Sequence, residues 1–328
     1  MDEPSRRRWP LVLGLGYAVL ALLLVVAWIV VGDAWWLQPF NLTTFWWSLP
    51  AVFLLLLAAL FRRWDVAAAL AVPAAVFLWS YGTLFLPSTT PDLPPDLTVA
   101  TYNTWVQAPD GGHVRDLVDR VDPDVLLLQE VFPPLQEELE ESLADTLPHT
   151  MTVQSEGVGG VMVASRYPIV EERPVETGSD DVRATAVAVI DVDGQLVQVV
   201  PVHLRSPCPT CGTSLTDRLQ LEGESREAEM ATVISALDRT PAIVGGDFNS
   251  NERSAPYRSL TGAGFHDAHR EAGSGPGFTW PDDDRLPFPA FRIDWLLSRG
   301  LEPIDAWVDR GGPSDHRPVV AVFAFEEA

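Results

Sequence analysis

The sequence predicts a molecule in two parts: an amino-terminal segment of three membrane-spanning helices, and behind it an α/β domain of two packed sheets flanked by helices. Three observations carry this reading. No charged residue occurs from Leu11 to Val31. Beyond residue 97, short apolar or alternating runs recur between turn residues, with a few stretches of helical spacing among them. The two regions are joined by LPSTTPDLPPD, residues 86–96, whose prolines and polar side chains suit an extended spacer.

The membrane elements come first. Leu11–Val31 is 21 residues long, which matches the roughly 20 needed to cross a bilayer as a helix. Thr43–Phe61 and Val66–Leu86 are two further apolar runs, bordered by charge, proline or aromatic residues. The first run is longer than the core of a cleaved signal and two more follow it, so it reads as a retained span. Arg6, Arg7 and Arg8 precede the first span, Arg62 and Arg63 separate the second from the third, and the connector Gly32–Leu42 has no arginine. Basic residues stay on the cytoplasmic side, so the expected protein is a multi-pass cell-membrane protein with its amino terminus inside and everything past Leu86 outside. Trp35, Trp36, Trp46 and Trp47 flank the outer connector, as interfacial anchors would.

Residues 1–86 are thus the membrane segment, 87–96 the linker and 97–328 the domain. Its strands are expected at Thr98–Tyr102, Val125–Gln129, Gly160–Ala164, Ala184–Val192, Leu196–Leu204, Ala242–Gly246, Arg292–Leu297 and Val319–Phe325. Helices are expected at Val114–Arg120, Leu135–Thr146 and Leu215–Leu237. Asp191–Gln195, DVDGQ, reads as a hairpin turn, and Glu137–Glu141, EELEE, as a solvated helix face.

Charge narrows the function classes. Four of the 45 acids and five of the 22 basic residues lie in residues 1–86, leaving 41 acids against 17 arginines, a net of −24. Such a domain repels polyanions at long range, which counts against duplex DNA as a partner; no protein partner is implied. Cys208 and Cys211 cannot form a four-cysteine zinc site, and outside the cytoplasm they suit a local disulfide.

Function is read from how the strands end. IVGGDFNSN closes an apolar run on Asp247 and Asn249; VATYN ends on Asn103, DVLLLQE on Glu130, VVPVH on His203 and FRID on Asp294; PSDHRP sets Asp315 and His316 ahead of the last strand. Acids, amides and imidazoles at one end of six strands fit phosphate ester hydrolysis. A hard divalent cation such as Mg²⁺ takes oxygen ligands and keeps waters; Glu130 is the first choice as ligand, with Asn103 and Asp315 close by. Asp247 is placed to take a proton from the attacking water, Asn249 to donate to the water or the phosphoryl oxygen, and His316 to supply charge in the transition state, oriented by Asp294. His203 is a second positive or donating group.

The ordered set TYN, LLLQE, HL, GDFN, RIDWLLS and SDHRP resembles the endonuclease/exonuclease/phosphatase superfamily over residues 97–325. That resemblance implies a four-layer α-β-β-α sandwich with its active site at one edge of the two sheets, and Mg²⁺ or Mn²⁺ as cofactor. It places Asn103, Glu130, Asp247, Asn249, Asp294, Asp315 and His316 on family active-site positions, and His203 where many phosphodiesterase members carry histidine. Phe278, Thr279 and Trp280 fall where members hold residues near substrate; Trp280, with Arg292, is the candidate substrate contact. GGVMVASRYPI, residues 159–169, is expected in the core. The insertion RSPCPTCGTSLTD after His203 fits no substrate class. The expected activity is membrane-anchored hydrolysis of a phosphodiester or phosphomonoester, on a lipid headgroup or small phosphorylated molecule. The alternatives are an extracytoplasmic nuclease and a non-catalytic tethered ligand-binding domain.

Overall fold

A computed structural model describes residues 3–87, 90, 93–108, 110–155, 159–175, 183, 185–206 and 214–326. The chain divides into two units, Met1–Leu86 and Pro87–Ala328. Cys208 and Cys211 lie outside the described residues.

The first unit is helical: α1 (Glu3–Val31), α2 (Gln38–Leu42), α3 (Thr44–Leu60) and α4 (Trp64–Tyr81). Leu11 and Tyr17 of α1, Leu55 and Ala58 of α3, and Val66 and Leu70 of α4 pack together. Leu13, Leu23, Ile29 and Trp79 face outward, so the apolar surface continues around the helices, a pattern compatible with lipid surroundings. Among the described residues, two spans, Arg8–Val31 and Trp64–Phe85, are long and apolar enough to cross a membrane. The middle one differs from expectation: α3 has 17 residues, and the region qualifies only if it is joined to Trp35–Leu42, from which it is bent by 49°.

In the second unit the order is β1 (Leu97–Asn103), α5 (Gly112–Val121), β2 (Val125–Val131), α6 (Pro133–Ser142), β3 (His149–Val153), β4 (Gly160–Ser165), β5 (Ile169–Val175), β6 (Thr185–Val192) and β7 (Gln195–His203). There follow α7 (Leu215–Ala236), β8 (Ala242–Asp247), α8 (Ala255–Gly262), β9 (His266–Asp267), α9 (Ala268–Ala272), β10 (Asp294–Arg299), β11 (Leu301–Val308) and β12 (Val319–Phe325). Two mixed six-stranded sheets result, ordered β11-β12-β1-β2-β4-β3 and β5-β6-β7-β8-β10-β9. The parallel pairs are β1 with β2 and β7 with β8.

Alternation along the strands builds three apolar layers. Val99, Leu127 and Val163 of the first sheet meet Ile190, Val199, Ile243 and Leu296 of the second in the central layer. Ala100, Tyr102, Leu126 and Leu128 point the other way, onto Val114, Leu117 and Leu139 of α5 and α6. Val200, Val244 and Trp295 turn onto Met230 and Val233 of α7 and Tyr257 and Leu260 of α8. Each such Val or Leu contributes on the order of 1.5–3 kcal/mol by leaving water. The result is an α/β sandwich with helices on both outer faces.

The β6–β7 hairpin turns at Asp193 and Gly194 with φ of 52° and 94°, the positive pair that an Asp-Gly turn supplies. Gly160–Ser165 is buried throughout, and Leu139 is the buried face of the acidic helix α6. Four strands, β3, β5, β9 and β11, and two short helices, α8 and α9, were not expected from sequence.

Candidate active site

The same alternation that fills the central layer brings polar residues to one end of it. On β8, Ile243 and Gly245 face the opposite sheet, and two residues on Asp247 faces the same way; on β7 and β10, Val199 and Leu296 set the same phase for His203 and Asp294. In register, Asp247 pairs laterally with His203 on one side and with Asp294 on the other. Asn103 ends β1 in the facing sheet and reaches across the gap, donating from Nδ2 to Asp247 Oδ2 at 3.1 Å.

Glycines make this approach possible. A Cβ on Gly245 would lie 2.5 Å from Leu296 Cδ2 and 2.9 Å from Leu127 Cδ1, and one on Gly246, at φ +145°, would run into Val202 O. Glu130 leaves the regular ladder through a bulge between Gln129 and Val131, with φ of 60°. Gly159 is packed onto it so closely that a Cβ there would come within 2.8 Å of the Glu130 carbonyl carbon. The bulge frees the carboxylate to face the strand ends, where Oε2 accepts from Val106 N at 2.8 Å and Oε1 from Asn103 Nδ2 at 3.2 Å.

The residues expected at the site converge, with one exception. His203 Nε2 lies 3.7 Å from both Glu130 Oε1 and Asp247 Oδ2. Asn249, at φ 50°, folds back so that its backbone N–H and Nδ2 donate to the two oxygens of Asp247 at 2.7 and 2.9 Å. His316 Nδ1 sits 2.9 and 3.1 Å from the Asp294 oxygens, and its Nε2 is 3.8 Å from both Asp247 Oδ2 and Asp315 Oδ1. Asp315 Oδ2 accepts from Trp280 Nε1 at 3.2 Å and pairs with Arg285, which covers the Trp280 ring at 4.9 Å.

Arg292 is not brought to this cluster. It is buried against Asp267, with which it pairs, and lies 4.1 Å over the Trp295 ring; it precedes β10, which begins at Asp294, so the alternation that aims Asp294 does not govern it. Thr279 is also fully buried, its hydroxyl accepting from the backbone N–H of Ile293 and Asp294 at 3.3 and 3.4 Å. Trp280 remains at the site through its contact with Asp315.

Burial and charge set the protonation states. Burial alone would depress His316, but Asp294, Asp247 and Asp315 together hold it up at about 10, so it is an imidazolium at neutral pH. Burial pushes Asp247 up to about 7 against the pull of that imidazolium. His203 goes the other way: burial first, then the charges of Arg183 and His316, hold it well below the usual range. It is therefore a neutral donor and not a second positive group.

The donor chemistry fits a cation at Glu130. Asp247, Asp294 and His316 lie close enough to hold an ion, with donor atoms within 4.8 Å of one another, but an imidazolium has no lone pair to offer and Asp294 already engages it. Glu130 is the most open of the four carboxylates, 18% exposed against 10% for Asp315 and 2% or less for Asp247 and Asp294. With Asn103 beside it, Glu130 presents the hard oxygens that Mg²⁺-like ions take while keeping their waters.

Two supporting residues escaped the sequence reading. Ser314 Oγ donates to Asn103 O at 2.7 Å and accepts from His316 N at 3.1 Å, tying the His316 loop to the end of β1. Its place inside PSDHRP was the available signal. Arg183, ahead of β6, feels the charges of Asp247 and Glu130, and no pattern in the sequence distinguishes it from a surface arginine.

A model of the Endonuclease/Exonuclease/phosphatase family matches residues 100–316. Among solved structures, the endonuclease/exonuclease/phosphatase from Bacteroides vulgatus is similar with a TM-score of 0.58 at 19% identity, covering 71% of this chain and 100% of that one. D. rerio TDP2, solved with a single-strand DNA product, gives 0.55 at 17%, covering 70% and 98%. Beta toxin from Staphylococcus aureus gives 0.53 at 19%, covering 69% and 99%. At these identities the likeness is one of fold. No curated protein matches.

Proposed function

The chain belongs to the endonuclease/exonuclease/phosphatase family and is a metal-dependent phosphoesterase; on that premise we propose that it hydrolyses a phosphodiester or phosphomonoester of a lipid headgroup or small phosphorylated molecule, from a membrane anchor. The observation that carries the chemistry is the lateral row His203–Asp247–Asp294 with His316 held charged beside it. Asp247, near neutrality in its proton affinity, accepts the proton of the attacking water, which is the poise a general base needs. Asn249 fixes the orientation of that carboxylate. His316 supplies a positive N–H to the phosphoryl oxygens as charge builds, with Asp294 keeping its proton on. His203 donates as a neutral imidazole. Glu130 and Asn103, with the Asp315 oxygen not engaged by Arg285, would hold a divalent ion, Mg²⁺ or Mn²⁺, which supplies Lewis-acid polarisation of the ester when bound.

The substrate class is supported by the loops around the site. Val106, whose N–H bonds Glu130, and Leu286 and Phe288, just past Arg285, expose apolar side chains, while the domain carries a net −24. That combination favours an amphiphile or small ester over a polyanion. The nuclease alternative is supported by the likeness to TDP2 with its DNA product.

The test is hydrolysis by the full chain in detergent, with Mg²⁺ or with chelator, of phospholipid vesicles, soluble phosphoesters and plasmid DNA. Turnover of lipid or small esters that vanishes in chelator and returns with Mg²⁺ is expected. Plasmid cleavage should be slower and should rise between about 20 and 150 mM salt as repulsion is screened. DNA as the one substrate turned over would reverse the ranking, and inertness toward all three would leave the tethered binding domain.

A further inference from the structure

Two arginines of the domain are treated differently by their surroundings. The charge of Arg292 is met directly by Asp267, and its plane rests on Trp295. Arg183 has no such arrangement. Its Nη2 donates to Ser206 Oγ at 3.3 Å, and among the described residues its buried Nη1 has no hydrogen-bond partner and its guanidinium no ion pair. A buried guanidinium N–H left without a partner is costly, a cost that a bound acceptor would remove.

The position of Arg183 says which ligand. It lies two residues before β6, whose Thr185 Oγ1 is locked to Pro201 O of β7 at 2.5 Å. Ser206 follows His203 by three residues. The guanidinium and the His203 imidazole therefore ride on adjoining strand ends, and the charges of Asp247, Glu130 and Glu229 act on Arg183 from the same region. A planar fork with an unpartnered Nη1 beside a phosphoesterase centre matches the non-bridging oxygens of a phosphoryl group.

We propose that Arg183, steadied by Ser206, is a substrate-binding residue that grips the phosphoryl oxygens of the ester and of the phosphate product. The proposal rests on the phosphoesterase reading and adds a residue outside the acid–imidazole cluster. A lone arginine before a strand is ordinary, and nothing in the residue pattern marks this one.

The test compares wild type, Arg183→Gln, Arg183→Lys and Ser206→Ala as full chains in detergent with Mg²⁺, reading KM for a soluble phosphoester, inhibition by inorganic phosphate, and the denaturant midpoint. Arg183→Gln should raise KM and the phosphate inhibition constant about tenfold or more, the worth of a charged hydrogen bond, at an unchanged midpoint. Lysine should recover part of this as a point charge without the fork. An unchanged phosphate inhibition constant in Arg183→Gln overturns the proposal, whatever happens to kcat, and a lowered midpoint alone marks a structural role. If Arg183→Gln does not fold, Ser206→Ala decides: weaker phosphate inhibition supports the grip, and wild-type inhibition overturns it. Should no ester be turned over by wild type, calorimetric titration of inorganic phosphate into the same variants separates failure of this assignment from failure of the substrate reading.

Discussion

At the scale of single residues, the site depends on charge held in place. Replacing His316 with Ala removes the positive donor and should lower kcat by about 10³-fold with little change in KM. Asp294→Asn leaves the ring but not the charge that keeps it protonated, and a loss of about 10–100-fold is expected; equal KM and kcat effects in either variant would argue against a transition-state role. Elsewhere, burial and the nearby Arg292 charge hold His269 down at about 4, and burial lowers His113 as well. At these two histidines the unfolded chain, with imidazoles at about 6.5, binds more protons than the folded one as pH falls from about 6.5 to 4. Their contribution to stability is therefore full above that window and drains as pH falls through it, by about 3 kcal/mol for His269 alone, while Asp247, held up at about 7, acts in the opposite direction over the same window. Denaturant midpoints of wild type and His269→Gln measured across pH 7 to 4 check this: the gap between them should change over that range by the share that His269 contributes. Much of the cluster was legible because its residues are chemically unlike the apolar runs they end. Arg292 was misplaced for a different reason: it lies before β10 and is claimed by Asp267, a pairing distant in sequence that residue type does not report.

At the scale of elements, the eight strands anticipated from sequence, β1, β2, β4, β6, β7, β8, β10 and β12, are the interior strands of the two sheets, and the four that were missed, β3, β5, β9 and β11, are their edges. Interior strands are covered on both faces and read as apolar runs. Edges carry features that prevent further pairing: Glu171, Glu172, Arg173 and Pro174 on β5, and Glu302, Pro303 and Asp305 with a bulge on β11. What blunts an edge also hides it from a hydrophobicity pattern. Within β8 the paired glycines are a packing requirement. Gly246→Ala forces a side chain against Val202 O at a backbone angle that favours glycine, and should cost more than about 1 kcal/mol, read as a lower denaturant midpoint together with loss of activity; a midpoint equal to wild type would mean β7 and β8 can part without consequence.

At the scale of the whole molecule, the contrast is between an apolar helical unit and a strongly acidic catalytic one. If the arginine distribution sets orientation, protease added outside intact cells removes residues 97–325, and protection of that domain would reverse the topology. The lateral row through His203, Asp247 and Asp294 bears on how such a domain could change its substrate. Neighbouring strands are spaced by their backbone hydrogen bonds, at about 4.8 Å, so the separation of the three reacting groups is inherited from the sheet and owes little to the loops above. Those loops can then diverge in length and polarity, altering which ester is admitted, while the hydrolytic step keeps its dimensions.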